Sequence, residues 1–421
     1  MKKLLMCSAA VALGLAVAHP AKADGIKLDL AGHFIGYVTW VDDSLPSGAT
    51  TDKIRAFDIL RSTEIHFTGE TTLDNGLTVG VHHEALIDEG ENVSHGADAF
   101  LTKESYAYFS GAWGRVNFGK EDGANYLLEV AAPSADTNYD GLRQLVNPEN
   151  LGVFGLHLFS GAIAGGGGGA GGGVRGFVNT GGKLDYSDDA TGFSNKITYL
   201  TPVWSGFQAG ASYTPSGGIS LGGTPGANEA SSAFGVPLKD AVHTYGDAWE
   251  GALRYEGKWQ ELGVTLGGGY THVQYTSSAG VGLLTDENDA FNQWNLGAEF
   301  SWQQFGLGVV YTTDNGGLQH DGQNRTWAAG IDYTTGPFKL GASYLNNHEG
   351  LGDVTAADGI SNGNLDTQRW APGVIYTYGP GMTFRGSVGW VRTTLPGDEG
   401  LNVDSGHVNS TDVLLGTQIN F

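Results

Sequence analysis

His83-Glu84 opens the zinc pattern H-E-x-x-H, in which two histidines on one helix face hold the metal and the glutamate activates water. The second ligand is missing, because position 87 is Ile87. The flanking residues also alternate as a strand does, which sets residues four apart about 13 Å from each other. No G-x-S-x-G nucleophile elbow is present. Gly181-Gly182-Lys183 lacks the earlier glycine of a phosphate-cradling loop. These residues therefore point to no enzyme and no cofactor. A different set shares a pattern: Lys27, Asp29, His33, His66, His82, Glu84, Lys103 and Arg115 all fall on the inward parity of their segments. Asp122, Glu129, Asp136, Asp140 and Glu149 follow in one long connection. Bases on a wall facing acids on a loop create a transverse field, and the chemistry such a field does is selection of ions and polar solutes.

Elements that could hold such a wall are strands. Phe338, Leu340, Ala342 and Tyr344 fall on one face, with Lys339, Gly341 and Ser343 on the other; Trp294 to Trp302 and Asp412 to Phe421 repeat the alternation. Sixteen such segments run from 26–41 to 411–421, among them 57–68, 102–110, 249–258 and 368–378. Their connections alternate between short turns, such as Gln303-Gln304 and Thr335-Gly336-Pro337, and long loops, such as 120–194 and 214–248. An even strand number with short turns at one end and long loops at the other predicts an all-β fold, a closed 16-stranded antiparallel transmembrane barrel. Trp40, Tyr106, Tyr108, Tyr213, Tyr255, Trp259, Tyr270, Trp302, Tyr311, Tyr333, Tyr344, Tyr376, Tyr378, Trp390 and Phe421 are expected outside or at strand ends, as two interfacial girdles.

Composition narrows the classes further. Glycine supplies 69 of 421 residues and only 16% are charged, with 45 acids against 22 bases and a net charge of −23. Nucleic acid is excluded as a partner, since phosphate contacts need clustered Lys and Arg. A disulfide framework is excluded because Cys7 is the only cysteine. No apolar run reaches the ~20 residues of a spanning helix. Lys2-Lys3, the apolar Leu4–Val17 and Ala21-Lys22-Ala23 form a bacterial export signal over 1–23, leaving 24–421 as the barrel.

Four fragments, in order, resemble the general Gram-negative porins. They are Ser62-Thr63-Glu64-Ile65-His66-Phe67-Thr68-Gly69-Glu70 with Leu73-Asp74-Asn75-Gly76-Leu77; Lys103-Glu104-Ser105-Tyr106-Ala107-Tyr108-Phe109 with Gly114-Arg115-Val116-Asn117-Phe118-Gly119-Lys120; Asn195-Lys196-Ile197-Thr198-Tyr199 with Gly206-Phe207-Gln208-Ala209-Gly210-Ala211-Ser212-Tyr213; and the terminal Phe421. The resemblance implies a homotrimer of water-filled barrels in the outer membrane, each narrowed by its third loop (about 120–194). It implies passive diffusion of ions and small hydrophilic solutes. Lys103 takes the place of a family arginine in the basic wall, and Phe421 that of the signal read by the barrel-assembly machinery. His66, His82 and Arg115 extend the wall by parity. This third loop lacks the acidic Pro-Glu-Phe-Gly-Gly-Asp type sequence of enterobacterial members and carries a glycine-rich run, 165–173, expected to be filler; 140–151 is expected to form a short helix. Acidic loops such as Asp42-Asp43, Asp88-Glu89, Asp188-Asp189 and Asp286-Glu287 favour cations weakly and suit divalent ions bridging to lipopolysaccharide. A sugar-specific channel and a surface adhesin or structural barrel are the competing readings.

Overall fold

The computed structural model describes residues 25–44, 56–89, 101–135, 186–187, 190–215, 244–276, 289–317, 323–350, 364–394 and 407–421. Sixteen strands run through them: β1 (Lys27–Asp43), β2 (Phe57–Thr72), β3 (Thr78–Glu89), β4 (Leu101–Gly111), β5 (Gly114–Glu121), β6 (Ser194–Leu200), β7 (Phe207–Thr214), β8 (Thr244–Trp259), β9 (Leu262–Thr276), β10 (Phe291–Trp302), β11 (Phe305–Asp314), β12 (Asn324–Thr335), β13 (Phe338–Gly350), β14 (Asn364–Gly379), β15 (Met382–Thr394) and β16 (His407–Asn420). Each pairs antiparallel with its sequence neighbour. β1 pairs with β16, from His33 opposite Asn420 to Asp43 opposite Ser410, so the sheet closes and no edge is left for another chain to extend. The strands overshoot the expected segments mainly at the long-loop end: 249–258 becomes Thr244–Trp259 and 368–378 becomes Asn364–Gly379. Main-chain pairing continues there where Ala248 and Leu365 are buried on the inner side, so that apolar-out, polar-in alternation no longer signals a strand.

The outward face follows from its solvent. Leu253, Leu296, Leu307 and Leu415 stand exposed there, as lipid-facing residues must. Ring side chains border this band at a fixed interval. Phe207 and Tyr213, Phe305 and Tyr311, Trp327 and Tyr333, Phe338 and Tyr344, Trp370 and Tyr376, and Phe384 and Trp390 are each six residues apart, which is ~20 Å along a strand. Neighbouring strands put these rings side by side: Tyr213 and Trp249 lie 4.2 Å apart between centroids, Tyr344 and Trp370 4.4 Å, Phe207 and Tyr255 4.7 Å. The two girdles are thus present, with one correction. Tyr106 and Tyr108 face inward: Tyr106 pairs with the inward His82, and the Tyr108 hydroxyl donates to Glu70 Oε2 at 2.7 Å.

Candidate functional site

Between β5 and β6 the chain leaves the wall, and residues 122–135 lie inside the barrel. They begin with a single helical turn, α1 (Ala124–Leu127). Polar groups of successive strands fasten this segment. Ala124 N donates to Ser212 Oγ on β7 (2.8 Å), Asn125 Nδ2 to Thr271 Oγ1 on β9 (2.9 Å), and Asn295 Nδ2 on β10 donates to Asn125 Oδ1 (2.7 Å). Arg254 Nη1 on β8 donates to the Glu129 carbonyl at 2.7 Å. Such close approach needs a wall without side chains, and the sequence supplies one. Gly210, Gly267, Gly297, Gly308, Gly330 and Gly341, inward on β7 and β9 to β13, form a track under the segment. A Cβ on Gly297 would stand 2.7 Å from Val130 Cβ, one on Gly308 2.7 Å from Pro133 Cδ, and one on Gly341 2.9 Å from Ala135 N. Carbon pairs rest at ~3.5–4.0 Å, so an ordinary residue at any of these positions lifts the segment off the wall.

The two roots of the same connection are clamped together by one side chain. Lys196 is buried on β6 and its ammonium donates to the carbonyls of Glu121, where the chain departs, and of Thr191 (2.6 Å) and Ser194 (3.2 Å), where it returns. Glu250 on β8 accepts from Thr191 Oγ1 (2.9 Å) and Thr271 Oγ1 (3.3 Å), and Asn117 Nδ2 donates to Glu121 Oε2 (2.8 Å). A buried ammonium and its acids tolerate burial only when bonded in this way.

On the inner face of β1 to β4 stands a ladder of imidazoles and carboxylates. Lys103 Nζ lies 2.5 Å from Glu64 Oε2 and 3.5 Å from Glu84 Oε1; His66 lies 2.8 Å from Glu64 and 3.6 Å from Glu84; His82 lies 3.7 Å from Glu104. A β-bulge makes this possible. Glu84 pairs with Glu104 but Ala85 pairs with Thr102, so Lys103 is an extra residue. Strict alternation would send one of Lys103 and Glu104 into lipid; the bulge turns both inward. Arg115 on β5 covers the ring of Tyr108 (3.9 Å to the centroid) and bonds Asn117 Oδ1 (2.7 Å).

The structure therefore brings Lys103, His66 and His82 into one network and sets Arg115 beside it over the tyrosines. Asp122 sits at the root of the segment, where its N–H donates to Glu104 Oε1 (3.3 Å), and Glu129 is buried against the wall. Asp136, Asp140 and Glu149, the 140–151 segment, the 165–173 run, the 1–23 signal, and Asp188-Asp189 and Asp286-Glu287 lie outside the described residues. Phe421 closes the barrel seam: its N–H donates to the Gly32 carbonyl (3.0 Å) and its carbonyl accepts from Gly32 N–H (2.8 Å). Sequence reasoning missed Glu64 and Glu104 as lumen residues. Glu64 shares the parity of His66 and was legible; Glu104 was hidden by the bulge.

The pattern of the Gram-negative porins matches residues 8–395. No curated protein matches the sequence. Solved structures similar in fold include an anion-selective porin from Comamonas acidovorans (18% identity, TM-score 0.53) and a loop-deletion mutant of OmpT, an outer membrane protein of Vibrio cholerae (13%, 0.53). A mutant of the Rh. blastica porin is similar too (15%, 0.51), and each of the three is covered fully by 94% of this chain. The chain belongs to the Gram-negative porin family, the channel-forming barrels of the bacterial outer membrane.

Proposed function

We propose that this channel passes ions and small hydrophilic solutes by passive diffusion with a weak preference for cations, and that it assembles as a homotrimer. Sixteen strands enclose a lumen too wide for side chains to fill, so its width is set by what lies inside. The observation that carries the reading is the polar inner wall opposite the seated 122–135 segment. Acids exceed bases on that wall: β1 to β4 carry Asp29, Glu64, Glu70, Glu84 and Glu104 inward against Lys27 and Lys103. A lumen of that sign concentrates cations. Asp42-Asp43, expected in a loop, end β1 at the long-loop rim; divalent ions at such acidic pairs would tie the outer rim to lipopolysaccharide, and Phe421 would be read by the barrel-assembly machinery.

The trimer reading rests on the outward face. β2 to β5 carry Ile65, Phe67, Val81 and Phe118 outward, with Arg61, His83, Ser105 and Lys120 among them, and no Trp or Tyr of the girdles. A sector with phenylalanines but no Trp or Tyr, the rings whose polar tips suit the lipid boundary, and with charges, suits contact with a second copy. A sugar-specific channel would need inward ring faces open to solute. The inward tyrosines favour that reading at first sight, but Arg115 covers Tyr108 and also stands 5.8 Å over the Tyr106 ring.

Single-channel recording in planar bilayers under a KCl gradient tests the function. Ohmic steps with a reversal potential on the cation side, unaffected by sugars, are expected. Block by millimolar sugar would favour the specific channel, and absence of steps an adhesin or structural barrel. Cross-linking in detergent tests the trimer.

A further inference from the structure

We propose that His33, Glu64 and His66 form a binding site for a zinc-class divalent cation on the channel wall. In the β1–β2 ladder His33 stands opposite Glu64, and His66 lies two residues further along the same face. Glu64 Oε1 is 2.8 Å from His66 Nε2 and 4.0 Å from His33 Nδ1, and the three donor atoms all lie within 4.8 Å of one another. Zinc bonds of ~2.0–2.2 Å in a tetrahedron hold ligand atoms about 3.4 Å apart. The Glu64–His66 pair must open and the Glu64–His33 pair close by about 0.6 Å each, and the two imidazole nitrogens, within 4.8 Å, must approach by up to about 1.4 Å, which χ rotations of the two histidines supply.

The groups around the three ligands separate this site from a chance meeting of two imidazoles and an acid. A metal-binding histidine gives its second ring nitrogen to a carboxylate, which fixes the tautomer and leaves the first nitrogen as the donor. His66 is placed to do so: its Nδ1 lies 3.6 Å from Glu84 Oε2, within ion-pair reach and one small χ rotation short of a hydrogen bond, while Nε2 faces the proposed metal. Glu64 is likewise held from behind, since its Oε2 accepts from Lys103 at 2.5 Å while Oε1 points to the histidines. The lysine orients that carboxylate and offsets the charge of Glu84, to which it is also paired at 3.5 Å. Three protein ligands leave the fourth position to water from the lumen, the open form of a zinc site. Two imidazoles select the zinc class over magnesium and calcium, which take oxygen shells of six or more.

The test uses the full-length barrel purified in detergent, titrated calorimetrically with ZnCl2 and, separately, MgCl2. One zinc equivalent is expected that disappears in His33→Ala and in His66→Ala, with no magnesium binding. Glu84→Gln keeps all three ligands and is expected to weaken zinc about tenfold. X-ray absorption of the zinc-loaded protein should show two imidazoles. A zinc isotherm unchanged by either histidine substitution, equal binding of magnesium, or fewer than two imidazoles overturns the proposal. Conductance is not read, so failure here leaves the channel reading untouched.

Discussion

Gly267→Ala is the sharpest probe of what holds the third loop. The new Cβ would lie 2.6 Å from Val130 Cγ2, 3.1 Å from the Leu128 carbonyl oxygen and 3.6 Å from Val130 Cβ. Restoring carbon–carbon contact at ~3.5–4.0 Å requires about 1 Å of movement. Val130 cannot simply turn, because it is buried and β-branched, and its Cβ already rests over Gly297. The segment must lift instead. Lifting by about 1 Å stretches the Arg254–Glu129 carbonyl bond, 2.7 Å long, past the ~3.2 Å limit of a good bond. Overpacking costs ~1–3 kcal/mol and the weakened charged bond a similar amount. The barrel itself stays closed, since its main-chain ladders are untouched. The only direction open to the segment is toward the lumen, so single-channel conductance falls and protease cuts the third loop faster. Val130→Ala removes Cγ2 and should rescue Gly267→Ala. It should not rescue Gly297→Ala, where the clash at 2.7 Å is with Val130 Cβ itself. Gly251→Ala, with nothing within 4 Å, is the silent control. Wild-type conductance in Gly267→Ala, or rescue of both variants alike, refutes the reasoning.

Lys103→Glu replaces the cation shared by Glu64 and Glu84 with a third carboxylate, and reversal potentials under a KCl gradient should move further toward cations; an unchanged potential would place Lys103 away from the narrowest point. Lys196→Met removes the donor that joins the Glu121 and Thr191 carbonyls, so limited proteolysis between β5 and β6 should accelerate while the β-sheet circular dichroism holds. Leu307→Arg puts a charge on the lipid face and should lower stability, measured by urea unfolding in vesicles, by ~2–4 kcal/mol near the midplane. Gln418→Arg, inward on β16 opposite Ile35 and away from the seated segment, should cost within ~0.5 kcal/mol, and equal losses would contradict the assigned parity.

Strand number, order and facing were written in the residues because one face of each strand meets hydrocarbon and the other water. That contrast repeats every second residue, and Trp294 to Trp302 or Phe338 to Tyr344 display it without outside help. The site was less legible. Alternation holds only while pairing is regular, and one extra residue at Lys103 reverses the parity of the rest of β4: Tyr106 and Tyr108, expected outside, are inside because Glu104 is inside. The glycine track was hidden for another reason. A glycine carries no polarity signal, so Gly297 or Gly330 reads as a gap in a strand until the 122–135 segment is seen to lie on it. That contact joins residues more than a hundred positions apart, and no local pattern encodes it. Lys196 was legible as inward, but its task depends on where Glu121 and Thr191 come together.

The barrel wall divides its work by sector. β7 to β15 face lipid with paired rings outside, and inside β7 to β13 offer glycines, neutral polar groups and the Arg254 guanidinium to the loop segment. β1 to β4 concentrate the charged ladder inside, and the neighbouring outward face of β2 to β5 has no Trp or Tyr of the girdles. The pairing of these features has an electrostatic reason. A wall is one sheet thick, so charges on its inner side feel what lies on its outer side. Hydrocarbon there would weaken their solvation, whereas the polar groups of a second subunit would sustain it. The same sector places Arg61, His83 and Lys120 outward. Against acyl chains each would cost between ~0 and ~4 kcal/mol according to depth. In the proposed trimer that cost is removed, so the subunits should separate less readily in a bilayer than in detergent, whose polar heads can reach those side chains.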